Sequence, residues 1–366
     1  MQYRRIPGTD LSISLLGFGN FVFGTNWWGE FTDEQGIRLQ NTAFDLGVNF
    51  FDAAAAYGNG RAEGLLAQTI RYAGRDKLVI STKFGYDFYS DPGLEGGHGE
   101  RRQDFSPAFV RYDLEKSLER LGTDHVDLYQ AHNLKLPQFR DDLFAELQKL
   151  GDQGKIRYWG VALGPAIGWR EEGYEAFKRG AATVQTVFNL YEQDPGREFC
   201  QLARPGGILG DQFRGGGVIA RVPTNSGMLD EEFHSPDHKF PASDHRKFRD
   251  RNWLIYGLKK NEIVRPLARR YGMSLRQLAF AWLASFPTLV SVEPNLLTEE
   301  DVREFADPRS FQFLDRQTLD ELAALYETDF HLGPLAHPCD WKSSVTPDGR
   351  ITSGYQDPAG VLAART

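Results

Sequence analysis

Eight short apolar runs of strand type recur along this chain: LLGFG at 15–19, VNFFD at 48–52, LVIST at 78–82, VDLYQ at 126–130, IRYWGV at 156–161, TVQTVF at 183–188, GVIAR at 217–221 and LVSV at 289–292. Segments of helical character lie between most of them. Asp33–Leu46 follows the start signal Thr32-Asp33, and Ser106-Pro107 supplies a cap and a first-turn proline ahead of Val110, Leu114, Leu118 and Leu121. Asp141–Leu150, Glu171–Arg179, Trp253–Arg270 and Glu299–Ala306 continue the alternation. Strand following helix following strand demands right-handed parallel crossovers, and eight such units favour a closed barrel over an open doubly wound sheet. The predicted fold is therefore a (β/α)8 TIM barrel.

The 366 residues are 41% hydrophobic and 13% aromatic, enough for a large core, and α/β barrels reach this length as one unit. No Gly, Ser or Pro linker, repeat or low-complexity tract divides the chain. One domain is expected over residues 1–329, opened by an N-terminal β-hairpin, Tyr3–Ser14, around the turn signal Pro7-Gly8-Thr9-Asp10. Residues 330–366 form a C-terminal extension whose run HLGPLAHPCDW is apolar enough to pack over the barrel mouth. Two other stretches exceed what connection needs, Gly85–Phe105 after the third strand and Pro223–Asn252 after the seventh. Loops following strands line the catalytic mouth of such a barrel, so both are placed to grip a substrate.

Several classes are disfavoured. A formal charge of −8 offers no broad attraction for nucleic acid or anionic lipid. Cys200 and Cys339 make neither a disulfide framework nor a four-ligand zinc site, which fits a reducing, cytoplasmic setting. No stretch approaches the roughly 18 continuous apolar residues of a membrane helix. No metal is expected: His234, Asp237 and His238, or His331 and His337, are the only candidate ligands, and none follows a predicted strand.

Four residues share an address at carboxyl ends of consecutive strands: Asp52, Tyr57 in DAAAAYGNGRAE, Lys83 in STKFG and His132 in LYQAHN. Singly, each has an ordinary explanation as a capping acid, packed aromatic, surface charge or core histidine. Together they suit proton transfer to an oxygen that gains negative charge. A phenol of pKa about 10 holds its proton too well, a lysine ammonium beside it favours phenolate, an aspartate anchors the lysine, and an imidazole orients a carbonyl.

At this point the chain resembles the aldo-keto reductase family, from about Tyr3 to Phe305. LGFGN, FFDAAAAYGNGRAE, ISTKFG, SLERLGTDHVDLYQAH and GKIRYWGV look like family motifs in family order. The resemblance implies that Asp52, Tyr57, Lys83 and His132 are the catalytic tetrad, with Tyr57 as general acid, and that NAD(P)(H) binds at the barrel mouth without a Rossmann domain. It also implies that Gly19, Asn20, Phe21 and Asp52 lie near the nicotinamide ribose, that Gln185 holds the carboxamide, and that Arg221, Thr224, Gly227 and Leu229 belong to the loop around the pyrophosphate. The expected activity interconverts a carbonyl compound, an aldehyde, ketone or sugar, and its alcohol. The family also contains potassium-channel beta subunits, so a slow, cofactor-binding regulatory protein is the alternative.

Two departures from the family pattern stand out. The usual Ser-Asn pair after the fifth strand reads Ala162-Leu163, and the usual Pro-Gly after the last strand is replaced in VEPNLLTEEDVREF. Asn295, Thr298 and Asp301 are the candidate cofactor contacts there. Glu299, Glu300 and Asp301 suit a helix N-terminus but would repel an adenosine 2′-phosphate, so NAD is expected to be tolerated, with the preference between the two cofactors open. Trp27, Trp28 and Tyr86, with Phe88 and Tyr89 nearby, place aromatics at the mouth for a small-molecule substrate. Asn26, Asp87 and Asp91 tilt the expectation toward a sugar. Neither nucleic acid nor membrane is an expected partner, and oligomeric state is not legible.

Overall fold

A computed structural model of the chain describes residues 1–25, 27–90, 92, 101–164 and 169–337. Two strands, β1 (Tyr3–Arg5) and β2 (Ser12–Ser14), pair antiparallel as the expected hairpin. Eight further strands form one parallel sheet in sequential order: β3 (Phe18–Gly19), β4 (Phe50–Asp52), β5 (Val79–Phe84), β6 (Val126–His132), β7 (Ile156–Ala162), β8 (Thr183–Val187), β9 (Gly217–Arg221) and β10 (Leu289–Glu293). Leu16 bridges Val292, and the Val292 amide donates to the Leu15 carbonyl (2.8 Å), which closes the sheet into a barrel. Ile6, Leu11 and Ile13 of the hairpin pack on Phe50, Leu128, Ile219 and Val290, plugging the barrel's N-terminal end with apolar side chains. The opposite end is left for chemistry.

Helix starts follow their local signals where those exist. Thr32 and Gln35 form a capping box for α2 (Asp33–Asp45), after the one-turn α1 (Phe21–Gly24). The next helix, α3 (Arg61–Ala73), carries no such flag in sequence. Its cap is Gly60 at φ +95°, where no side chain can accept from the first turn. Ser106 caps α4 (Pro107–Leu121), followed by α5 (Asp141–Asp152), α6 (Arg170–Lys178) and α7 (Gly196–Leu202). The long segment expected at Trp253–Arg270 is α8 (Arg251–Arg270). A helix that the sequence reading did not place, α9 (Leu275–Ala284), follows it, starting at a Ser274/Gln277 capping box and buried except at Arg276. Thr298 and Asp301 cap α10 (Glu299–Ala306), and α11 (Arg316–Glu327) follows.

Beyond α11, the turn Pro334–Ala336 reaches the barrel mouth, where buried Lys260 donates to the Ala336 carbonyl (2.7 Å). Cys339 and the rest of the extension lie outside the described residues, as do Asn26 and Asp91. Among the described residues, no helix is long and apolar enough to cross a membrane.

Candidate active site

The top of the barrel interior is a polar layer. Asp52, Gln130, Gln185 and Glu293 come from β4, β6, β8 and β10, the even-numbered barrel strands, as alternate-strand layering requires. Gln130 Nε2 donates to Asp52 Oδ1 (3.1 Å), and Gln185 Nε2 reaches both Asp52 Oδ2 (3.3 Å) and Glu293 Oε2 (2.9 Å). Lys83, on β5, donates to Asp52 Oδ2 and to the Ala53 carbonyl (2.8 Å). All four layer residues and Lys83 are buried. A polar group left bare at such depth costs several kcal/mol, so the mutual pairing is what makes the layer tenable.

Tyr57 stands above this layer on the loop after β4. Its ring lies 4.9 Å from Lys83 Nζ and edge-on to Phe21 (5.1 Å) and His132 (5.6 Å). Gly24 fixes that position from behind. A Cβ there would fall 2.4 Å from the Tyr57 Cβ, so any larger residue would displace the phenol. The four tetrad positions thus converge on one side of a cavity of about 870 Å³ at the barrel mouth, lined by Asp52, Tyr57 and His132 among others.

Electrostatics refine the expected roles. Burial holds the Tyr57 phenol above its ordinary pKa. Lys83 and Arg221 pull it down, as a neighbouring cation must, but burial, aided by Asp52, outweighs them. The phenol therefore keeps its proton in the free protein. Burial, reinforced by Lys83 and Arg221, pushes His132 well below the usual imidazole range, so it is a neutral ring. Lys83 is held charged: burial opposes its charge, and the charge and hydrogen bond of Asp52 lead the interactions that outweigh it.

The residues expected at the cofactor fall into three groups. Gly19, Phe21, Gln185, Arg221 and Asn295 line the main cavity. Asn20 is buried behind Gly19, its Nδ2 donating to the Asp52 carbonyl (3.1 Å) and its Oδ1 without a hydrogen-bond partner among the described residues. Thr224 and Leu229 are buried within their own turn, where the Leu229 amide donates to the Thr224 carbonyl (3.0 Å), and Gly227 sits there at φ +93°. From that loop it is Asn225 and Ser226 that face the cavity. Thr298 lines a separate, smaller cavity of about 290 Å³ between α2 and the start of α10.

Asp301 is already committed. Its Oδ2 accepts from the Thr298 amide and hydroxyl (both 2.9 Å), and its Oδ1 pairs with Arg276 (2.7 Å). Arg276 in turn meets Asp230 (3.1 Å) and Glu304 (3.4 Å).

Where the Ser-Asn pair is missing, the structure has a different fastening. Arg221, the last residue of β9, donates to the carbonyls of Leu163 (3.2 Å) and Gly164 (2.6 Å), pinning the end of β7. Leu163 and Ala162 are buried. Two groups that sequence reasoning did not single out complete the floor and rim. Glu293 directly follows the run LVSV, and the even-strand pattern that places Asp52 also places Glu293, but only once the eighth strand is extended by one residue. Arg249, on the second long loop, reaches into the same cavity while pairing with Glu192 (2.9 Å).

Trp27, Trp28 and Tyr86 all line the cavity. Trp27 stacks on His245 (5.4 Å), and Trp28 meets the same ring edge-on (4.7 Å), joining the loop after β3 to the long loop after β9. Tyr86 accepts from Asn133 Nδ2 (2.7 Å) and lies edge-on to His132 (4.9 Å). Phe88 and Tyr89 instead stack on each other, and Tyr89 donates to buried Asp113 (2.8 Å). The Asp87 carboxylate is turned to Ser90. Among the described residues, no group of three or more His, Cys, Asp or Glu is arranged to hold a metal ion, and His337 pairs with Asp329 (2.6 Å).

Comparison with known proteins agrees with this geometry. Residues 15–327 match the profile of the aldo/keto reductase family. The chain is 30% identical to a probable aldo-keto reductase of Glycine max over 77% of each chain. It is 26% identical to the NADH-specific methylglyoxal reductase of Escherichia coli over 82% of this chain and 92% of that one. Among solved structures, the glycerol dehydrogenase of Gluconobacter oxydans has a TM-score of 0.73 at 23% identity, covering 92% of this chain and 97% of that one, a likeness of fold.

Proposed function

The chain belongs to the aldo/keto reductase family of oxidoreductases, and on that premise we propose that it interconverts a small carbonyl compound and its alcohol with a nicotinamide cofactor, Tyr57 moving the proton. The observation that carries this reading is a proton-bearing phenol and a neutral imidazole facing one cavity, with a locked ammonium buried beside the phenol. The unpartnered oxygen of Glu293, a residue of the cavity lining, fits a ligand with donors and positive charge. Gly19, Phe21, Gln185 and Arg221 would hold the nicotinamide half, which supplies or accepts the hydride when bound.

The residues then have distinct tasks. Tyr57, protonated at neutral pH, gives its proton to the carbonyl oxygen as charge develops there. Lys83 stabilises the phenolate left behind, and Asp52 keeps Lys83 in place and charged. Neutral His132 donates one ring N–H to the substrate oxygen and orients the carbonyl without competing as an acid. Because His132 does not ionise near neutrality and Tyr57 stays protonated, carbonyl reduction is expected to be flat between about pH 6 and 8. Alcohol oxidation needs the phenolate and is expected to rise with pH across the same interval. Steady-state profiles in both directions check this, and a reduction rate falling through an ordinary imidazole pKa would make His132 the acid.

For the cofactor, we infer that NAD(H) binds at least as well as NADP(H). Arg276 is already shared by Asp230, Asp301 and Glu304, and Glu299 and Glu300 add negative charge at the start of α10. The nearby cations Arg38 and Arg303 are both paired to Glu299 (3.4 and 3.6 Å), so a 2′-phosphate placed there would compete with a carboxylate for each of them. Protein-fluorescence titrations with the four cofactor forms are expected to give an NADH affinity equal to or tighter than that for NADPH. A strong NADPH preference would refute the inference.

The substrate is a small carbonyl or alcohol, with sugars included, on the strength of flat aromatic walls from Trp27, Trp28 and Tyr86 beside the polar Asn133 and Arg249. An assay with a panel of aldehydes, ketones and sugars separates this from a regulatory role, which predicts saturable cofactor binding without cofactor turnover.

A further inference from the structure

Glu293 has no part in the proton chemistry above, yet it occupies the floor of the cavity. As the last residue of β10 it is 8% exposed, and its Oε2 accepts from Gln185 Nε2 (2.9 Å). Its Oε1 has no hydrogen-bond partner among the described residues. Across from it, Gly19 lines the same cavity with backbone alone. A Cβ there would stand 3.7 Å from Glu293 Oε2, so the glycine leaves the space beside the carboxyl open. A buried carboxyl with one oxygen bare is expensive unless something else supplies the partner.

The charged groups facing it are few: Asp52, Lys83 and Arg221, with the Tyr57 phenol above. Neither cation is free to serve Glu293, since Lys83 is spent on Asp52 and the Ala53 carbonyl, and Arg221 on the carbonyls of Leu163 and Gly164. With both carboxyls ionised, these four groups sum to zero charge; with Glu293 protonated they carry one positive charge. Burial, aided by Asp52, holds Glu293 well above the ordinary carboxylate range, so the free protein keeps it protonated. A cation entering the cavity would draw out the carboxylate.

We propose that Glu293 recognises the positive charge of the oxidised nicotinamide ring, so that the site binds the oxidised cofactor selectively and makes the bound reduced cofactor a stronger hydride donor. The inference rests on reading the cavity as a nicotinamide site. In the reduction, the carbonyl carbon receives hydrogen with its electron pair and the carbonyl oxygen receives the Tyr57 proton. The cofactor, oxidised by two electrons, becomes cationic, and Glu293 gives up its proton to solvent as it pairs with that charge. Stabilising the oxidised form over the reduced form lowers the reduction potential of the bound couple, and the equilibrium on the protein then leans toward alcohol.

The test is binding, measured on the intact chain without substrate. Glu293→Gln keeps the shape and the Gln185 contact but cannot ionise. It is expected to weaken NAD⁺ at least tenfold, corresponding to about 30 mV in the bound couple, and to leave NADH within about threefold. In the wild-type protein NAD⁺ affinity is expected to rise with pH while NADH affinity stays level, because only the first releases the Glu293 proton. In the variant both are expected to be level. Glu293→Met, with thermal melts for both variants, controls for folding and is expected to repeat the selective loss. Equal weakening of both forms, or no change in either, would overturn the charge role. If the wild-type protein binds neither form, the nicotinamide reading itself fails, a result distinct from unaltered selectivity in the variant.

Discussion

Tyr57→Phe is expected to lower carbonyl turnover by about 10²- to 10⁴-fold while cofactor affinity stays as it was. The substitution removes one oxygen and leaves the ring where it is. The edge contacts with Phe21 and His132 and the close approach of Gly24 all involve carbon atoms that phenylalanine retains. What disappears is the hydroxyl proton that the proposed reduction delivers to the carbonyl oxygen. His132 cannot substitute, because burial and two nearby cations keep it from protonating. Single-turnover measurements with the cofactor pre-bound separate the chemical step from binding. Near-normal turnover in this variant would hand the acid role to another group and undo the proposed mechanism.

The second large effect is expected from Lys83→Met, and it should strike stability and turnover together. Lys83 and Asp52 form a fully buried ion pair at the centre of the polar layer. Removing the cation leaves Asp52 with only the amide donors of Gln130 and Gln185, and breaking a buried pair from one side typically costs about 3–5 kcal/mol. The double variant Lys83→Met with Asp52→Asn removes both charges and is expected to recover much of the lost stability. Turnover should stay low in both, since the phenolate of Tyr57 loses the larger of its two stabilising cations and keeps only Arg221. Denaturant unfolding, with steady-state rates alongside, reads these effects; a single variant as stable as wild type would mean the pair is not structural.

How far the sequence reached can be traced residue by residue. Thr32, Ser106 and Thr298 announce their helices because a capping hydroxyl acts within three residues of itself, and α3 went unread because a left-handed Gly60 starts it without one. The strands were legible for the same reason: a buried parallel strand is a short apolar run wherever it lies. Asp52, Lys83 and His132 could be picked out because each ends such a run. The pairing of Asp301, by contrast, was not legible, because its partners Thr298 and Arg276 come from two different helix starts, and the second is 25 residues away.

The chain's own pattern of apolar runs and caps thus settled the barrel and the strand-end address of the tetrad, since both are written in contacts a few residues long. Tertiary structure alone decided the electrostatics: that burial outweighs Lys83 at Tyr57, that Arg221 fastens the end of β7, and that Glu293 lies bare beside Asp52. Ionisation depends on what surrounds a group in three dimensions, and those neighbours come from strands that closure of the barrel brings together across as many as 241 positions of sequence.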